Sequence, residues 1–126
     1  MASVTREIVL PADPSWFAVG PQTVLVTLSN NGKAVLIDQA TAQVITTTTV
    51  GLTPRDPGFV GDNFWVANTG SADVSVLDPA NGEVLGTFTP PDTSGIFVAE
   101  GLLGDGWIES FSGTRVSRLA SDTGLP

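Results

Sequence analysis

The chain repeats itself with a period of about 40 residues, and that one feature excludes most folds before any secondary structure is assigned. A shift of 40 positions lays VLVTLSNNGKAVLIDQATAQVI (24–45) over FWVANTGSADVSVLDPANGEVL (64–85), so that Val26 meets Val66, Ile37 meets Leu77, Asp38 meets Asp78 and Val44 meets Val84. A shift of 42 lays WVANTGSADVSVLDPANG (65–82) over WIESFSGTRVSRLASDTG (107–124), with Trp65 on Trp107, Val74-Ser75 on Val116-Ser117 and Gly82 on Gly124. Similar lead-in segments, ADPSWFAV (12–19), RDPGFV (55–60) and TSGIFVA (93–99), precede the three copies. A unit this small cannot bury its apolar faces alone, so the copies must stack on one another.

Each unit holds four short β segments, about 58–60, 63–67, 73–77 and 84–89 in the second, rich in the Val, Phe, Trp and Thr that strands favour. No stretch with a helical period competes with them. In DPANG (78–82), Pro79 sits at the second turn position and Gly82 where a positive φ is needed, which makes a tight hairpin; NTGSAD (68–73) makes the preceding turn. Val74-Ser75-Val76-Leu77 is apolar on both faces apart from one serine, the pattern of a sheet packed between two others. Four antiparallel strands sandwiched between like neighbours form the blade of a β-propeller, so the expected class is all-β.

FWVANTGSADVSVLDPANGEVLGTF (64–88) resembles the repeat of the YVTN-type β-propellers and is similar, more distantly, to NHL and streptogramin lyase propellers: an aromatic-rich strand, Asn, a Gly/Ser turn, a Val-rich strand and Asp-Pro-x-x-Gly. The first unit is looser, with Thr27-Leu28 where Ala67-Asn68 stand, and the third is loosest, with Ala120 in place of the Asp. The resemblance covers nearly the whole chain. It implies a propeller but no single function, because the family serves many roles.

The third unit runs out at ASDTGLP (120–126), after its second turn, which leaves it without an outer strand, while SVTREIVLP (3–11) supplies an unassigned strand ahead of the first unit. The expected organisation is one domain over 1–126: a closing strand at 3–10, blades at 11–50 and 51–90, and a third at 91–126 whose outer strand comes from elsewhere. Propeller rings take about 4–8 blades, so three would leave apolar faces and a strand edge open to water. The expected solution is a six-bladed ring formed by a head-to-tail homodimer, in which Val4, Ile8 and Leu10 of each chain complete the partner's last blade; a nine-bladed trimer is the runner-up.

Composition narrows the function. Thirteen acidic against five basic residues give a net charge of -8, which repels nucleic acid and anionic membranes. Charged residues are only 14% of the chain, well below the roughly 25% of an average soluble protein, so surface is hidden in structure or in partners. Arg6 and Glu7 interrupt the only apolar run near the N-terminus, so neither a signal peptide nor a membrane span is expected; the chain reads as soluble, its compartment open. There is no cysteine, histidine or tyrosine, so disulfides and thiolate metal sites are excluded and acid–base chemistry would fall to Asp, Glu, Lys or Arg. Streptogramin lyases, by the resemblance, depend on a histidine that this chain does not have.

Candidate functional residues gather on one rim. Asp13 and Asp56 precede prolines in the loops that lead from one blade to the next, and Arg55 lies beside Asp56; Lys33, Asp73 and Arg115 fall in loops that share that rim. In a dimer Asp13 and Asp56 would set four carboxylates round one mouth, suited to a hard cation such as Ca²⁺, although Asp before Pro is more commonly a turn initiator. Asp38 and Asp78 are read as turn residues, and Leu25, Trp65 and Trp107 as packing between blades, with Trp16 also assigned to the core. The expected function is a non-enzymatic assembly and interaction module without a cofactor, presenting the rim to a protein or small-molecule partner, for which a virion or cell surface is one setting. The alternative is a lyase- or hydrolase-like enzyme using rim carboxylates with a divalent cation.

Overall fold

Runs of Val, Ile, Leu, Thr, Phe and Trp separated by Gly-, Asn- and Asp-rich turns become eleven strands in the computed structural model, which describes residues 2–90, 96–100, 105–110 and 116–120. They form three antiparallel sheets. The first comprises β1 (Trp16–Val19), β2 (Thr23–Leu28), β3 (Lys33–Asp38) and β4 (Val44–Thr49) in that spatial order. The second repeats the order with β5 (Pro54–Val60), β6 (Asn63–Asn68), β7 (Asp73–Leu77) and β8 (Val84–Phe88). The third has β9 (Ile96–Glu100), β10 (Gly106–Ser110) and β11 (Val116–Leu119). The innermost strands β1, β5 and β9 pack side by side, which places them towards a common axis. No helix among the described residues is long and apolar enough to cross a membrane.

The sequence period reappears in the hydrogen-bond register. Val24 pairs with Ile37, Phe64 with Leu77 and Gly106 with Leu119, the same ladder position after shifts of 40 and 42. The register slips between Leu36 and Ile37 in the first sheet and between Val76 and Leu77 in the second, again equivalent positions. Turn geometry repeats too. Gly82 (φ 75°) and Ala42 (φ 57°) occupy one site, Gly32 (φ 65°) and Ala72 (φ 57°) another, so each left-handed turn position carries Gly in one blade and Ala in the other.

Alternation along the second strand of each blade builds the core between blades, since successive side chains point to opposite faces. Leu25, Ala34 and Leu36 of the first blade meet Phe64, Val66 and Leu77 of the second, with Phe59 and Phe64 edge to face at 5.1 Å. On the opposite face of the second blade, Trp65, Ala67, Val74 and Val76 meet Ile108 of the third, and Trp65 stands edge to face with Phe88, also at 5.1 Å. Gly106 lies under the Trp65 ring, where any Cβ would collide with it.

The two ends of the stack differ from expectation and from each other. Residues 3–10, read as a strand, pair with no strand here; Ile8, Leu10 and Ala12 instead lie across the outward face of the first blade, over Val26, Leu28, Val35 and Ile37. At the far end Trp107, read as core, is 41% exposed, and Val116 is also open to solvent. The alternation explains it: Gly106 and Ile108 face the second blade, so Trp107 faces away from it. The third sheet has three strands among the described residues, and residues 121–126, where the unit was expected to end without an outer strand of its own, lie outside them.

Candidate functional site

Two hydroxyls, those of Thr27 and Ser29, tie the first blade to the second at the rim where the β4–β5 and β6–β7 loops emerge, and bonds within each blade brace the same rim. Thr27, fully buried at the end of β2, donates from Oγ1 to the Arg55 carbonyl at 2.7 Å and lies 3.3 Å from the Trp16 carbonyl. Ser29 donates from Oγ to the Pro54 carbonyl, and its N–H donates to Ser15 Oγ. Thr69 donates to the Thr53 carbonyl from both its N–H and its hydroxyl, each at 3.1 Å. Thr53 holds that carbonyl with φ 50°, a conformation a β-branched residue adopts only under constraint.

This scaffold fixes a cation against an aromatic ring. The Arg55 guanidinium lies 4.5 Å from the centroid of Trp16, an arrangement worth about 0.5–1 kcal/mol at an exposed site. Trp16 was expected in the core; it is 38% exposed, because β1 is an innermost strand and turns Trp16, Phe17 and Val19 to solvent. The pair presents a planar cation stacked on an aromatic ring near the axis, while Phe17, the next residue of the strand, is exposed on the opposite face.

The remaining candidates separate. Arg55 and Asp56 lie within β5, not in a loop, because the strand begins at Pro54 and absorbs the proline-rich stretch as a register irregularity before Pro57. Asp56 is half-buried and Asp13 exposed. Asp73 opens β7 and belongs to another group: its Oδ1 accepts from Asn68 Nδ2 at 2.9 Å and from Ser71 Oγ at 3.1 Å, while Asn68 Nδ2 also lies 2.9 Å from Ser75 Oγ. With Thr49, Val50, Gly51, Val84 and Thr87, Asp73 and Ser75 line a recess of about 180 Å³. Arg115 lies outside the described residues, among which no three carboxylates converge as a metal site. Asp38 and Asp78 each accept from a backbone N–H two residues on, at 2.8 Å, as turn residues should.

Sequence reasoning passed over Asn68, Ser75 and the exposure of Trp16. Asn68 is fully buried, both its amide hydrogens are engaged, and its Oδ1 has no partner. A signal for it was present, since Asn68, Asp73 and Ser75 stand where the first blade has Leu28, Lys33 and Val35.

No family model matches the chain, and no curated protein matches it. Solved structures do. Hydrazine synthase of Kuenenia stuttgartiensis superposes with a TM-score of 0.76 at 18% identity over 98% of this chain and 36% of its own. A streptogramin B lyase gives 0.73 at 20% over 91% of this chain and 40% of its own. Virginiamycin B lyase of Staphylococcus aureus gives 0.78 at 17% over 96% of this chain and 43% of its own. The chain thus spans about two-fifths of the length of these structures. At such identities the likeness is one of fold: three blades of an all-β propeller of the kind the streptogramin B lyases share.

Proposed function

We propose that the chain is a non-enzymatic assembly and interaction module, in which two copies join head to tail into a six-bladed ring, residues 3–10 complete the partner's third blade, and the joined rim is presented to a partner. The observation that carries this reading is Trp107. Its repeat equivalent Trp65 is fully buried between two blades, whereas Trp107 is 41% exposed, with exposed Val116 on the neighbouring strand and Arg118, ion-paired to Asp105, opposite it in the ladder where Val76 stands opposite Trp65. A tryptophan and a valine exposed together, rimmed by charge, are the kind of apolar patch that marks an interaction site. The Arg55–Trp16 pair is the part of the rim best suited to contact a partner, with Asp56 next to Arg55 in β5, Asp13 in the loop before β1 and Asp73 apart in its own recess as the further rim carboxylates. Size exclusion with light scattering should return about twice 13.0 kDa, with three times that mass for a nine-bladed trimer; a folded monomer at micromolar concentration would reject the ring.

The enzymatic alternative draws support from the lyases among the similar structures. It requires the rim carboxylates to gather a divalent cation across the dimer. Ca²⁺ or Mg²⁺ would then raise the melting temperature, and Asp56→Ala would abolish the increase; the assembly module should show no such response.

A further inference from the structure

Residues 8–12 cover the face of the first blade that a head-to-tail neighbour would need. Ile8, Leu10 and Ala12 are half-buried over Val26, Leu28, Val35 and Ile37, while Val9 between them is 94% exposed and Pro11 is exposed too. The segment is therefore extended with one edge down, yet it joins no ladder. Among the described residues the first backbone hydrogen bond it leads into is that from Ser15 N–H to the Thr27 carbonyl, at 2.8 Å. Side-chain contact alone holds it, without the strand hydrogen bonds that fix the rest of the blade.

The covered face has a defined role elsewhere in the molecule. Val26 and Ile37 are the repeat equivalents of Val66 and Leu77, which receive Leu25 and Leu36 of the preceding blade. Val24 is likewise the equivalent of Gly106, which receives Trp65. This is the receiving half of an interface that the chain already makes twice, and Trp107 stands at the inserting position of the third blade, with Arg118 opposite it in place of Val76. The occupant that fits both is a second copy of this chain.

We infer that residues 8–12 form a displaceable strap: in the single chain they occupy the receiving face of the first blade, and their release opens that face to a second copy's third blade and frees residues 3–10 for exchange. This rests on the head-to-tail assembly proposed above. The strap and the second copy compete for one surface, so the apparent dimer affinity is reduced by the fraction of chains in which the strap is down. Two functions of the same segment are thereby separable, because Ala12 belongs to the strap but lies beyond the exchanged strand 3–10.

The test uses the full chain and Ala12→Asp, with Ala12→Ser as a milder variant, in sedimentation equilibrium and with circular dichroism as the check on folding. The wild type should dimerise, and Ala12→Asp should tighten the dissociation constant about tenfold, with Ala12→Ser between them. A dimerising wild type with unchanged or weaker association in both folded variants would overturn the strap and leave the assembly reading intact. Folded monomers in all three would overturn the assembly and the strap with it. If Ala12→Asp fails to fold, Ala12→Ser alone decides, by whether its association is tighter than that of the wild type.

Discussion

Trp65 and Trp107 hold the same place in two copies of one repeat, yet one is sealed and the other is 41% exposed. The difference lies in what stands beyond them. Trp65 projects from the second blade onto Gly106 of the third, whereas no described residue buries Trp107 in the same way. A repeat therefore specifies a blade, but the energy of a blade depends on its neighbours, as expected of an array in which each unit contacts only the next. The first blade teaches the same point from the other end: its outward face is closed by a strap of three side chains instead of a sheet.

The comparison breaks most sharply at the tryptophans. Trp65→Ala should cost about 3–5 kcal/mol through lost burial and the cavity left behind. Trp107→Ala should cost far less in the single chain. Gly106→Ala, which drives a methyl into the Trp65 ring, should cost about 1–3 kcal/mol by overpacking. Urea denaturation of dilute protein measures all three, and equal losses for the two tryptophans would show that the faces of the second and third blades are not inequivalent after all.

Next in size is the polar group that distinguishes the second blade from the first. Asn68→Leu installs the first blade's residue but takes the donors away from Asp73 and the buried Ser75, and should cost about 1–3 kcal/mol. Adding Ser75→Val, again the first blade's residue, removes the group left unpaired and should recover part of the loss. A double variant no more stable than Asn68→Leu alone would show that Ser75 was not the group left wanting.

Much of this architecture was legible in the residues. Strand limits, the paired turns and the ladder register follow from the repeat, because hydrophobic alternation and turn chemistry are local. What the sequence withheld is set by contacts across blades. The alternation of Ile8, Leu10 and Ala12 is the same whether the segment joins a ladder or lies across a face, so the pattern reads as a strand in either case. Arg55 and Asp56, flanked by Pro54 and Pro57, have turn chemistry, and only pairing with β6 draws them into a strand. The stacking of Arg55 on Trp16 needs two blades side by side, which neither blade's own sequence announces.

The smallest effect concerns the turn position shared by Ala42 and Gly82. Both adopt left-handed φ, which costs an L-residue roughly 1–2 kcal/mol, partly offset by the greater chain entropy that Gly loses on folding. Ala42→Gly should therefore stabilise by about 0.5–1 kcal/mol. The reverse change is not its mirror image. A Cβ on Gly82 would come within 2.6 Å of Thr46 Cγ2 and 3.2 Å of Thr48 Oγ1 on the outer strand of the preceding blade, and the Gly82 carbonyl accepts from Thr48 Oγ1 at 2.8 Å. Gly82→Ala should thus cost more than Ala42→Gly gains, because the second blade's turn packs on Thr46 and Thr48 of the first blade, whereas Ala42→Gly only relieves the backbone. Thermal melts of the two single variants decide it: equal and opposite shifts would reduce the asymmetry to backbone conformation alone, and with it the claim that position in the array, more than the repeat itself, selects the residue.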